Sequence, residues 1–247
     1  SAGNRSDNSD LLPGMHFISG ADEDKGSEKI GGGCMKVIDL THEIKTNMQV
    51  FPGDPEVEIK EALTHKTDYC HVDRLLLGSH SGTHIDAPYH FLEDGKRISD
   101  YPLSRFMGDG VVIDLQRKKA GEAIQREELK VHEKRIHPGD LVILKTGWCE
   151  TFGTERYLEH PYLTADAARF LVEKKIGIIA IDFLNVDPTL WESWEAHPVF
   201  LSADVLIVEN INHSLELEEE KQYWFCFAPL KLADSDGAPI RAFAVEK

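Results

Sequence analysis

Hydrophobic residues recur along this chain in short runs with a period of two, punctuated by Gly and Pro, a pattern dominated by strands. Val37-Ile38-Asp39-Leu40 reads as a first strand, and Val57 to Leu63 alternates as a second. Val72 to Leu77 is an apolar run leading directly into a histidine-rich stretch, so these last two suggest a sheet whose strand end carries that stretch. Val111 to Leu115, Leu141 to Thr146 and Ile178 to Asp182 are almost continuously apolar, as in strands buried on both faces. Between them the spacing predicts a charged helix over 125–134, its charges forming a solvated face. An amphipathic helix follows over Ala165 to Lys175, N-capped by Thr164 and ended by Gly177. Val205 to Val208, Tyr223 to Phe227 and Ile240 to Val245 add three strands with little helix between them. This order predicts an α/β fold, a mixed sheet or partly closed barrel flanked by a few helices.

Composition then sets the boundaries. Residues 1–34 are rich in Gly, Ser, Asp and Asn without periodicity, and the composition changes at Met35. We expect 1–34 to be a flexible leader, a cloning remnant or a tail, with the folded unit over 35–247 and no role for His16. A formal charge of −16, from 43 acidic against 27 basic residues, argues against nucleic acid or an anionic membrane surface as a partner. Cys34, Cys70, Cys149 and Cys226 form no C-x-x-C pair and read as reduced thiols of a cytoplasmic protein. No apolar run approaches the ~20 residues of a membrane span.

Candidate chemistry concentrates in Gly78-Ser79-His80-Ser81-Gly82-Thr83-His84-Ile85-Asp86-Ala87-Pro88-Tyr89-His90. Imidazoles and a carboxylate crowded together make a donor set of the zinc or manganese type. His80 and His84 are not the pair of a zinc-protease helix, because no Glu follows His80 and Gly82, Thr83, Ile85 and Pro88 disfavour a helix. In an extended strand, His80, Gly82, His84 and Asp86 share one face, with Gly82 leaving a gap between the two imidazoles. Asp86 has two oxygens and could bridge two cations about 4 Å apart. One stretch cannot complete two coordination shells. His197, in Glu195-Ala196-His197-Pro198, and Glu209, continuing an apolar strand where burial is costly without a partner, are the best further candidates. The residues alone leave that pair open between ligands and ordinary buried groups. His90 lies beyond Pro88, leaves the strand, and is free for acid–base work. His42, His65, His71, His132, His137, His160 and His213 read as hydrogen-bonded core or surface residues. Phe51, on the loop Val50-Phe51-Pro52-Gly53-Asp54-Pro55, reads as packing locally.

His80 to His90 is similar to the H-x-G-T-H-x-D-x-P-x-H signature of the cyclase family of metal-dependent hydrolases, which includes bacterial kynurenine formamidase and isatin hydrolase. The resemblance extends in family order through Asp39-Leu40-Thr41-His42, Phe51-Pro52-Gly53-Asp54, Val186-Asp187-Pro188, Pro229-Leu230-Lys231-Leu232 and Asp236-Gly237-Ala238-Pro239-Ile240-Arg241-Ala242. It implies a single swivelling-type β/β/α domain with a mixed, barrel-like central sheet flanked by helices, assembled as a homodimer or homotetramer. By resemblance, His80, His84 and Asp86 hold one divalent metal ion and Asp86, His197 and Glu209 a second, zinc being the first choice and manganese the alternative. The family places a His and a Glu twelve residues apart, as His197 and Glu209 are. His90 is the implied catalytic acid–base and Phe51 the implied substrate-binding residue. The implied reaction on a small-molecule substrate is hydrolysis of an amide-type C–N bond, as in N-formylkynurenine or a cyclic amide, by attack of a metal-bound hydroxide. Cyclisation or lactone opening at the same site is the alternative, and a non-catalytic metal-dependent binding module ranks below both. Two departures bear on substrate: Phe51 replaces the formamidases' usual Trp, and Asp182-Phe183-Leu184-Asn185-Val186-Asp187-Pro188 replaces D-T-P-S-V-D-P.

Overall fold

Residues 35–189 and 194–247 are described by a computed structural model, and the expectations for 1–34, Cys34 included, lie outside them. In chain order the elements are β1 (Val37–Asp39), β2 (Glu58–Leu63), α1 (His65–Asp68), β3 (Val72–Leu76), β4 (His84–Asp86), β5 (Met107–Asp114), β6 (Ala123–Ile124) and α2 (Arg126–Lys130). There follow β7 (Leu141–Lys145), β8 (Tyr162–Leu163), α3 (Ala165–Glu173), β9 (Ile178–Ile181), α4 (Ala196–Ser202), β10 (Leu206–Glu209), β11 (Tyr223–Pro229) and β12 (Gly237–Glu246).

Seven strands close a ring in the order β12-β11-β5-β7-β9-β10-β4, with β4 returning to β12. Neighbours from β5 through β10 run parallel, and the remaining contacts of the ring are antiparallel. Closure depends on the length of β12. One of its edges takes β11, while the other takes β4 at Gly237–Pro239 and then β1 at Phe243–Val245. The barrel-like mixed sheet expected from the resemblance is therefore present, and a closed sheet leaves few free edges.

Alternation divides the apolar side chains between two layers. Leu141, Ile143, Ile178, Ala180, Leu206 and Val208 fill the barrel interior with Ile85, Phe225 and Phe227. Their neighbours Val142, Leu144, Ile179, Ile181 and Ile207 face outward and pack with Phe170 and Leu171 of α3 and Phe200 and Leu201 of α4. Strands covered on both faces explain the continuous apolar runs in the sequence.

Two expectations are corrected, and one helix is added. β2 and β3 pair only with each other, as a separate hairpin with no buried residue, and do not belong to the sheet that carries the histidine stretch. Their period of two was read correctly, but alternation alone cannot say which sheet a strand joins. The helix over 125–134 is confined to Arg126–Lys130, after which successive turns run through Arg135. Leu129 is the one buried residue in α2, and exposed Val131 adds no stripe to hold a longer helix. The added helix is α4, absent from the sequence reading; its Pro198 stands in the first turn, where a proline is tolerated.

His42 is buried after β1, with its ring stacked on Phe152 at 3.9 Å and Nε2 without a hydrogen-bond partner. Burial, with smaller pushes from His213 and Lys45, lowers its pKa to about 4. The folded chain thus keeps His42 neutral where the unfolded chain protonates it, so stability is lost as pH falls from about 6.5 toward 4 and is unaffected above. Between pH 7 and 5 this site should cost about 2 kcal/mol. Urea unfolding of the wild type and His42→Phe at both pH values checks it: the variant should lose less on acidification, and equal losses would refute the assignment.

Candidate metal centre

The same alternation puts the donors on the outside of the barrel wall. Ile85 faces inward, so His84 and Asp86, on either side of it in β4, face outward. β10 pairs antiparallel with β4 in the register Glu209↔His84 and Ile207↔Asp86. With Leu206 and Val208 facing inward, Glu209 stands beside His84 on that outer face. His197 approaches from α4. The Asp187 carboxylate accepts the backbone N–H groups of Glu195, Ala196 and His197 at 2.9, 2.7 and 3.0 Å, capping the start of α4. The same carboxylate accepts His197 Nδ1–H at 2.7 Å.

His80 reaches the cluster differently from the way the sequence suggests. The strand begins only at His84, and Gly82 has φ +65, so His80 to Asp86 is not one extended face. A turn instead carries the His80 ring back until Nδ1 lies 2.7 Å from Asp86 Oδ1. Gly82 suits this turn, because a side chain there would be strained and would meet Met48 Cε at 3.1 Å. The Gly82 carbonyl also accepts His84 Nδ1–H at 2.8 Å. His90 leaves the strand as expected, on a short 3-10 turn from Pro88.

All five proposed donors thus meet; His80 touches Asp86 at hydrogen-bond distance, and the spacing among His84, Asp86, His197 and Glu209 fits a cation. His84 Nε2 lies 3.4 Å from Asp86 Oδ1 and 3.5 Å from Glu209 Oε2; His197 Nε2 lies 3.6 Å from Asp86 Oδ2 and 3.5 Å from Glu209 Oε1. These separations exceed a good hydrogen bond. Two donors each about 2.1 Å from one tetrahedral ion, however, lie about 3.4 Å apart. Among the described residues Asp86 Oδ2 is buried without a hydrogen-bond partner. The Nδ1 atoms of His84 and His197 are both fixed by acceptors, as in metal-ligating histidines whose second nitrogen is held from behind.

Charge leads to the same reading. Burial alone would lower the histidines, yet the Asp86 carboxylate overcomes it and raises His80 to about 10 and His84 to about 9. Burial would likewise raise Asp86, but the two imidazolium rings hold it well below the usual carboxylate range. Without a cation, protons on imidazole balance the buried carboxylates. A bound dication would take the place of those protons.

The cluster floors a cleft of about 220 Å³ lined by Phe51, Asp54, His90, Phe91, Leu184, Asn185 and Trp194 among others. Phe51 does line this cleft rather than packing only locally, 5.6 Å from the Trp194 ring, and Phe91 stacks on His197 at 4.6 Å. Leu184 and Asn185 confirm that the altered 182–188 segment borders the site. Asp182 does not: it accepts Thr146, Gly147 and Ser214 donors outside the cleft. Sequence reading gave no role to Asp187, Asp236, Phe91 or Trp194. Asp187 and Asp236 lie in the family-like segments quoted above, the one signal that pointed to them.

The Cyclase family model matches residues 38–188. The chain is 31% identical over 209 residues to a kynurenine formamidase of Bacillus cereus, covering 83% of this chain and 95% of that protein. With the Bacillus anthracis kynurenine formamidase it is 32% identical over 212 residues, covering 84% and 96%. A solved structure described as a potential metal-dependent hydrolase with cyclase activity superposes with TM-score 0.74 at 30% identity, covering 86% of this chain and 98% of that one. An isatin hydrolase bound to the product analogue thioisatinate superposes with TM-score 0.78 at 25% identity, covering 85% and 92%. With its signature stretch, its closed mixed sheet and these matches, the chain belongs to the cyclase family.

Proposed function

We propose that this protein is a metal-dependent hydrolase that opens an amide-type C–N bond next to an aromatic ring, with an aryl formamide such as N-formylkynurenine as substrate. The observation that carries the reading is the meeting of His80, His84, Asp86, His197 and Glu209 around a buried, unpartnered carboxylate oxygen. Asp86 turns Oδ1 to His80 and His84 and Oδ2 to His197, so these three imidazoles and Asp86 would hold metal together. Glu209 divides its oxygens in the same way between His84 and His197. Mixed imidazole and carboxylate donors favour zinc, with manganese as the alternative.

A bound dication supplies Lewis acidity toward a carbonyl oxygen and lowers the pKa of a coordinated water. The chain's own residues do the rest. His90 borders the cleft and accepts the proton released when water adds to the carbonyl, then returns it to the departing nitrogen. Phe51, Phe91 and Trp194 form an aromatic wall for the ring of the substrate, and their apolar faces exclude water from the reacting bond. A cyclic amide is the second reading, supported by the likeness to isatin hydrolase. We place the protein in the cytoplasm as a homodimer or homotetramer. Three described cysteines are free thiols, no described helix is long and apolar enough to cross a membrane, and exposed Leu75 and Leu76 on the β2–β3 hairpin offer apolar contact surface.

Elemental analysis with assays on N-formylkynurenine, isatin and a small lactone tests the reading. His84→Ala should lose bound metal and at least about 100-fold in activity; full retention of both would sink it. Asp187→Asn should weaken metal binding by about 10–100-fold in chelator competition, because it releases the His197 ring. Phe51→Ala should raise KM by about 3–10-fold with kcat little changed, the effect of losing one aromatic contact. An unchanged KM would remove Phe51 from the substrate wall.

A further inference from the structure

Asp236 stands where the metal half and the proton-transfer half of the site meet. Its Oδ2 accepts from His90 Nδ1 at 3.0 Å and from His80 Nε2 at 2.8 Å. The His80 and His90 rings lie 4.0 Å apart, and Phe91 meets the His90 ring edge-on at 4.8 Å. The carboxylate is delivered by the main chain. Asp236 is followed directly by β12, whose Gly237 is in register with Asp86, and its own carbonyl accepts Ala87 N–H at 2.8 Å. Gly237 is required at this joint: a Cβ there would lie 2.7 Å from the Ile85 carbonyl and 3.0 Å from His80 Cε1. Ser235 braces the other side, its hydroxyl donating to the Gly237 carbonyl at 2.7 Å.

A neutral imidazole has one N–H and one lone pair, and the partner of one nitrogen decides the role of the other. A carboxylate at Nδ1 selects the Nδ1–H tautomer and leaves Nε2 to exchange protons. We propose that Asp236 is a positioning residue for His90, fixing that tautomer and ring orientation so that Nε2 handles the proton. In the hydrolysis, Nε2 takes a proton from the water whose oxygen bonds to the carbonyl carbon. Asp236 faces the resulting imidazolium, and Nε2 then gives the proton to the nitrogen as the C–N bond breaks. His80 keeps the Asp236 oxygen in place through Nε2–H while its Nδ1 stays with the Asp86 cluster. The proton route rests on the hydrolase reading above; the tautomer does not.

The test uses full-length, zinc-loaded protein with 15N-labelled histidine, the His90 signals being assigned by their loss in His90→Ala. The neutral His90 ring should carry its proton on Nδ1 in the wild type and shift toward Nε2–H in Asp236→Ala. The same tautomer in both would overturn the proposal. On N-formylkynurenine, Asp236→Ala should lower kcat by about 100-fold with KM within about 3-fold and zinc content unchanged. In the His90→Ala background the same substitution should change kcat by less than about 3-fold, since the two residues act as a unit. Equal losses in both backgrounds, or loss of zinc, would overturn it by making Asp236 a support for His80 alone. Asp236→Leu, similar in size and without an acceptor, serves if the alanine variant does not fold. A wild type that is inactive on all the aryl amides yet shows the tautomer shift would refute the substrate reading and uphold the role of Asp236.

Discussion

Two carboxylates buried side by side set the terms for this site. Asp86 and Glu209 occupy adjoining strands that pair in a fixed register, so their proximity is imposed by the hydrogen bonds of the β4–β10 ladder. Burial makes such a pair expensive, and only compensating positive charge makes it tolerable. Three imidazoles crowd around them for that reason, and the spacing favours a dication over protons as the compensating charge.

The surrounding fold serves this constraint. Inward-facing Ile85, Leu206 and Val208 anchor β4 and β10 in the barrel, which forces the polar residues between and beyond them to the opposite face. The layer holding α3 and α4 covers the apolar residues of that face and leaves the donors at the floor of the cleft, and Asp187 ties the start of α4 to the one imidazole the helix contributes. Stability and chemistry therefore share residues. The apolar alternation that packs the barrel is also what aims the donors.

Much of this was legible in the sequence where local periodicity decides structure. His84 and Asp86 sit on one strand face as a period of two requires, and Glu209 betrayed itself as an acid continuing a buried strand. The reading failed where the backbone leaves regular geometry. At Gly82 a left-handed turn replaces the extended chain, so His80 arrives by another path. Asp187 and Asp236 lie in connecting segments, where no periodic pattern distinguishes a structural carboxylate from a solvated one. The β2–β3 hairpin alternates correctly but joins another sheet, because strand partners are chosen by contacts far apart in sequence.

The placement of β12 has a consequence for the order of events during synthesis. This late strand, after β11, carries the edge that closes the barrel, and Asp236 immediately precedes it. Contacts of such large sequence separation form slowly and late. Until β12 docks, β4 lacks one of its two neighbours and the His80–His90 bridge has no carboxylate. The carboxylate that joins His80 to His90 is therefore delivered by the same strand that closes the barrel.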